Sequence, residues 1–490
     1  MAHPHPFFLL LLALLGFAGN AGAASAYTPA LAKAHAEFLK LKVSSGNTLA
    51  QQVLRQQPDN AAAILVANYG DFLTLCVQQD AKAYNKLLET QEKRLAILSK
   101  ISPQNAWTDF ARAELRMQIG VSKLLFGNRL SAAWDIHKAY QQYTANARRY
   151  PNFAPNKKTL GMMQVLIGSI PDRYRWFLDI IGMRGSVTQG MASLRAAATQ
   201  AHPFQQEAQL LYALLQQLLD RQKDKEALQL VEQLTQQQPD NLLFRFVAMH
   251  LYKKTAKSPL ALHHFEQRPR GGTYLSFPYL HHMAADLYLY RGDYARSAQE
   301  NRLFLDRHKG EHYLKAANFK LYLAYLLGNH RPQALWYYKQ ISETGKADIE
   351  EDKYAARFVE KQQQPNLSLL KARLYSDGGY YRQALQVLDS MHTASAPFET
   401  RAEHLYRRAR AYHGLEETEQ AIKLYKSTIS FSGTSNFYFA PNAALQLGYI
   451  YQEAGQPEQA KHYYHRAMSY EGHEYKNSID AKAKLALSTL

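Results

Sequence analysis

Four places in this chain hold residue types suited to chemistry. The adjacent pairs His263-His264 and His281-His282 carry imidazoles that ligate transition metals, and Cys76 is the only thiol. The run Asp348, Glu350, Glu351 and Asp352 supplies carboxylates of the kind that hold a hard cation. Spacing argues against all of them. Neighbouring residues on a helix diverge by a quarter-turn or more, whereas two ligands of one ion on one helix stand four residues apart. The acidic run lacks the glycine and the ligand spacing of a calcium loop, and reads as a solvated helix start favoured by the helix dipole. Cys76 sits in the apolar stretch Phe72 to Val77, where a packed thiol is expected rather than a nucleophile. There is no His-Glu-x-x-His helix, no Gly-x-Ser-x-Gly elbow, no phosphate loop and no dinucleotide glycine fingerprint. The sequence therefore predicts no catalytic residue, no metal and no cofactor.

Tyrosine is the unusual residue. The chain has 33, with doublets at Tyr337-Tyr338, Tyr380-Tyr381 and Tyr463-Tyr464. A doublet cannot place both rings on one packing face, so Tyr337, Tyr380 and Tyr463 are candidates to line a groove. There a phenol offers a large contact area and a polar tip to a peptide or a sugar ring. The plainer account of most tyrosines is packing, because they recur in a repeat register.

That register is clearest at the C-terminal end, where Leu447, Gly448, Tyr451, Gly455, Ala460, Tyr464 and Ala467 follow one another. Large residues at three- and four-residue steps form one apolar helix face, small residues let two antiparallel helices approach, and Gly455 allows the reversal between them. Earlier units carry Ala409, Tyr412, Ala421 and Tyr425, then Ala372, Tyr375, Gly379, Ala384 and Leu388. Before these come Tyr325, Gly328, Ala334 and Tyr338, and a weaker unit with Tyr288, Gly292 and Ala298. From Ala298 to Ala460 the anchor alanines are separated by 36, 50, 37 and 39 residues. Extra length, above all around Glu343 to Pro365, must absorb the excess over a repeat of about 34.

The N-terminal half repeats less plainly. Gln57-Pro58-Asp59-Asn60 and Gln238-Pro239-Asp240-Asn241 each follow a glutamine-rich helix and precede an apolar run, so proline ends one helix and Asp or Asn caps the next. Ala61 to Phe72, Ala106 to Phe126 and Ala132 to Tyr150 have helical periodicity, and no alternating run of strand length occurs.

These spacings resemble the tetratricopeptide repeat family over most of Tyr274 to Ala467. The resemblance implies a right-handed, all-α solenoid of stacked antiparallel helix pairs, with a divergent helical part at residues 27–265 and a clearer repeat part at 266–490. It also implies a scaffold that binds a protein or peptide in a concave groove. Gly168-Ser169-Ile170-Pro171, Phe177, Ile181 to Gly185 and Gly190 to Leu194 resemble the segment joining the two halves in the inclusion-body-clearance group of these proteins. Pro278-Tyr279-Leu280, Leu287 to Tyr294, Pro365-Asn366-Leu367 and Gly378 to Tyr381 are similar to exported bacterial repeat proteins.

Export is also read from the N-terminus. Phe7 to Ala18 is an apolar core of signal-peptide length, and Ala24-Ser25-Ala26 offers a cleavage site that makes Tyr27 the first mature residue, so residues 1–26 are assigned to the signal. No cysteine stands there to be lipidated. The expectation is a soluble protein of the periplasm or cell envelope, not a lipoprotein and without stable membrane insertion. One cysteine also excludes an internal disulfide. The net charge of +17 favours an acidic partner, while export disfavours nucleic acid; a soluble basic surface is the plainer account of the charge. Glycan or small-ligand capture stands as the alternative function, and an enzyme with an unrecognised site as a third.

Overall fold

The structure is a computed structural model describing residues 27–102, 105–170, 178, 181–219, 224–487 and 490. The expected signal segment lies outside these residues, as do Pro171 and Phe177. Among the described residues there are 24 helices and no β-strand. Helices pack on their successors and repeatedly on the next but one, which is the neighbour pattern of an α-solenoid.

Local sequence explains how the pairs are punctuated. In both Gln-Pro-Asp-Asn echoes the asparagine caps the following helix. Asn60 Oδ1 accepts from Ala63 N–H at 3.0 Å, and Asn241 Oδ1 accepts from Phe244 N–H at 3.1 Å. Each cap is steadied by the preceding glutamine, because Asn60 Nδ2 donates to Gln57 and Asn241 Nδ2 to Gln238. Helix Ala61–Gln78 is long and apolar enough to cross a membrane, but most of it is buried within the fold.

The glycine-rich joining segment has a direct packing role. Helices Ala154–Gly168 and Val187–Thr199 cross so closely that a Cβ on Gly190 would stand 2.6 Å from the Gly161 carbonyl oxygen and 2.7 Å from Val165 N. One on Gly161 would stand 2.9 Å from the Gly190 oxygen. Backbone meets backbone there, with the Val165 side chain pressed equally close to Gly190.

The same region buries charge. Lys158, with no exposure at all, donates to Glu114 at 2.9 Å and to Glu207 at 3.2 Å, while Tyr143 and Thr159 also donate to Glu114. Burial pushes the Glu207 carboxyl well above the usual range despite the pull of Lys158. Burial, reinforced by Lys158, likewise pushes His35 well below its usual value.

In the repeat part, Ala298, Ala334, Ala372, Ala384, Leu388, Ala409, Ala421, Tyr425, Leu447, Tyr451, Ala460, Tyr464 and Ala467 are buried. Gly448 faces the Tyr464 ring, which leaves no room there for a side chain. Tyr325, Tyr338, Tyr375 and Tyr412 are half-buried against the cores. Gly379 and Gly455 take φ of +83° and +68° at the ends of their helices, while at Gly328 it is the following Asn329 that goes left-handed.

The 50-residue interval contains an additional helix, Glu350–Glu360, packed on Leu314–Leu327. The next helix, Leu367–Gly378, packs instead on Tyr279–Arg291, one pair further back. Gly292 abuts Tyr375, and Gly378 abuts Tyr290 at that junction.

Gly190→Ala is expected to destabilise the chain by about 1–3 kcal/mol, because backbone cannot yield to the added methyl group. Gly272→Ala, with nothing within 4 Å of the added carbon, is the neutral control. Urea midpoints of the two variants check this.

Candidate functional site

The displacement of Leu367–Gly378 opens a cavity of about 520 Å³. It is lined by the first helices of successive pairs, by the additional helix, and by Tyr475 just before the last helix. One wall is a chain of alternating charges. Asp286 accepts from both Lys253 and Lys320, the latter at 2.8 Å, and Lys320 also donates to Glu351 at 3.1 Å. Burial opposes charge on Lys320, but Asp286 and Glu351 outweigh it and raise its pKa. For Asp286 and Glu351, burial is outweighed by the flanking lysines, and both carboxyls fall below their usual range.

His282 joins this wall. Lys320 Nζ approaches its Nε2 to 2.8 Å, which requires a lone pair on Nε2 and places the proton on Nδ1, where it is donated to Asn301 Oδ1 at 3.0 Å. Burial first, and then Lys320, lower the histidine pKa. The imidazole is therefore neutral and shares the lysine with Glu351.

The additional helix is held by its acidic first turn. Asp352, which has no exposure, accepts from Tyr313 N–H at 2.7 Å through Oδ2 and from Ala316 N–H at 2.9 Å through Oδ1. It thus caps the Leu314–Leu327 helix from outside and fixes Tyr313 at φ +67°, a conformation uncommon for a bulky residue. Burial pushes its carboxyl up to about 7, against the two N–H donors that favour the charge. The reading of the acidic run as solvated is corrected here: Glu350 is exposed, but Glu351 and Asp352 turn inward and bind neighbouring helices.

The rest of the lining brings Arg357, Arg373 and Arg410 together, with Asp377 as the carboxylate whose charge acts on the last two. Arg373 Nη1 donates to the Tyr354 hydroxyl at 3.1 Å, and Arg410 lies beside Tyr406. Neither guanidinium has a carboxylate within ion-pair distance among the described residues, and Arg357 reaches only Glu474 at 3.9 Å. Tyr290, Tyr354 and Tyr475 supply aromatic surface between them. The arrangement can hold an anionic group by two planar forks and pack its apolar flank on phenol rings.

The sequence-selected residues lie elsewhere. Tyr337 lines a second cavity and stacks on Tyr325 at 5.4 Å; Tyr463 stacks on Tyr451 at 5.4 Å. Neither Tyr463 nor Tyr380 lines the groove. Cys76 is buried, with its thiol pKa pushed up by burial. His264 bonds to Glu232 at 3.1 Å and His281 to Glu300 at 2.6 Å, so the histidine pairs serve separate partners, and no three metal-ligating side chains group together among the described residues.

The groove arginines had a sequence signal. Arg373 follows Ala372 and Arg410 follows Ala409, each in an Ala-Arg-x-Tyr string, 37 residues apart. A charged residue kept at one register position in consecutive units marks a shared face.

No protein-family model and no curated protein sequence matches the chain. Among solved structures, the human IFIT1 dimer with PPP-AAAA is similar at 14% identity and TM-score 0.32, over 88% of this chain and 94% of that one. The APC/C hetero-tetramer Cut9-Hcn1 is similar at 11% identity and TM-score 0.26, over 93% and 96%. Such values transfer neither ligand nor partner to this chain.

The Asp352 pKa makes a signed prediction. In the unfolded chain the carboxyl titrates near ~4, so between that value and about 7 the folded state holds the extra proton, and stability falls as pH rises. Relative to Asp352→Asn, the wild type should lose up to about 1.4 kcal/mol per pH unit across this window. Urea unfolding of both proteins from pH 5 to 8 measures it, and parallel profiles would contradict the assignment.

Proposed function

We propose that this chain is a non-catalytic scaffold of the bacterial cell envelope that holds an acidic segment of a partner protein in the groove between Lys253 and Tyr475. The observation that carries the reading is the pair Arg373 and Arg410, charged and half-buried, which share the influence of a single carboxylate, Asp377, and make no direct ion pair among the described residues. A guanidinium kept in a groove costs desolvation, and an incoming carboxylate recovers that cost through bidentate hydrogen bonds. The alternating wall at Asp286 and Glu351 is already neutralised and gives the groove polarity, so the acidic end of a segment lies toward Arg373 and Arg410. The positive surplus of the whole chain steers such a partner inward. The signal-like N-terminus supports export with cleavage before Tyr27; the absence of a nearby cysteine supports a soluble form rather than a lipoprotein.

A fluorescent peptide rich in Glu and Asp, titrated with the protein, should bind, and Arg373→Ala with Arg410→Ala should weaken it at least tenfold. Raising the salt concentration should weaken it as well. Equal affinity for a neutral peptide of the same length, or an unchanged affinity in the double variant, would refute the reading. N-terminal sequencing of the protein recovered from the envelope fraction should begin at Tyr27.

A further inference from the structure

A second cavity, of about 550 Å³, lies between helices Tyr294–Arg307 and Arg331–Glu343. Each packs on Leu314–Leu327, which forms the floor of the trough between them. Both are second helices of their pairs, so this trough is built from a different set of helices than the basic groove.

Its chemistry also differs. Trp336 lines it while remaining 55% exposed, an indole left open rather than packed. The ring is nonetheless oriented: it stands edge-to-face on Tyr337 at 4.6 Å and 89°, and Tyr337 is itself stacked on Tyr325. At the floor, Asn318 is 3% exposed and gives its amide protons to the Leu314 carbonyl and to Thr344 Oγ1, both at 2.9 Å. No group among the described residues donates to its Oδ1, which remains an acceptor in the trough wall. Arg302 and Asp306 stand on one helix face four residues apart, yet make no ion pair with each other or with any other described residue. Gln340 completes the polar lining.

We infer that this trough is a binding site for a neutral pyranoside, with one sugar face on Trp336 and hydroxyls on Asp306, Arg302, Asn318 and Gln340. A pyranose has one C–H-rich face and a rim of hydroxyls that both donate and accept. An open indole meets the first, and a set comprising a carboxylate, a guanidinium and amides meets the second. The side-by-side carboxylate and guanidinium leave the wall without net charge, which selects against a simple anion or cation. The volume lies within the range of small-ligand sites. This site is independent of the acidic-segment reading, because no residue named here lines the groove.

The test is saturation-transfer NMR on the full chain with maltose, cellobiose and N,N′-diacetylchitobiose as probes. At least one should receive saturation on its ring protons. Trp336→Ala, at an exposed position that leaves the fold intact by circular dichroism, should weaken it at least tenfold. Asp306→Asn should weaken it several-fold, while Arg373→Ala with Arg410→Ala should leave it unchanged. No transfer to any of the three disaccharides, or equal transfer in Trp336→Ala, would overturn the proposal.

Discussion

Asp352 binds the backbone of a neighbouring helix at two points, and the geometry of the repeat part follows from that contact. It completes the start of Leu314–Leu327, holds Tyr313 in a left-handed conformation, and docks the additional helix Glu350–Glu360 onto the stack. With that helix in place, the next pair cannot follow in ordinary register and seats on Tyr279–Arg291 instead. The space left between them is the groove. A single side chain thus links an insertion in sequence to a cavity in the fold, through capping hydrogen bonds that would otherwise leave two buried N–H groups unpaired.

The Lys158 cluster and the groove treat charge differently. Around Lys158, burial is complete and the ammonium is paired with two carboxylates, Glu114 and Glu207, which suits a structural core where a lone ion would be costly. In the groove, Lys253, Asp286, Lys320 and Glu351 are also matched, whereas Arg373 and Arg410 are held beside Tyr354 and Tyr406 and share one carboxylate, Asp377. Tyrosine fixes a guanidinium in position without cancelling its charge. The abundant tyrosines consequently have two roles: packing at repeat positions such as Tyr425 and Tyr464, and orientation of cations at Tyr354 and Tyr406.

The all-helical class and the helix pairing were legible because packing imposes a period on the sequence. Gly448 against Tyr464, and the asparagine caps at Asn60 and Asn241, are local features whose residue types have few other uses. The groove was not legible in the same way. Its lining comes from helices far apart in sequence, brought together by an insertion whose excess length was visible around Glu343 to Pro365 but whose docking was not. Charge alone could not show that Glu351 and Asp352 turn inward, since an acidic first turn is equally favoured by the helix dipole in solvent. The tyrosine doublets point to other places, Tyr337 lining the second cavity while stacked on Tyr325, and Tyr463 stacking on Tyr451. The repeated Ala-Arg-x-Tyr string was the better signal, being both periodic and charged.

Hydrogen exchange on Asp352→Ala, with and without an acidic peptide, tests the central claim that this contact creates the groove. The account predicts faster exchange at residues 313–320 and 350–360, unchanged protection in Ala61–Gln78, and loss of the peptide-induced protection around Arg373 and Arg410. Retained peptide protection at those arginines despite a loosened Glu350–Glu360 helix, or unaltered exchange at both segments, would contradict it.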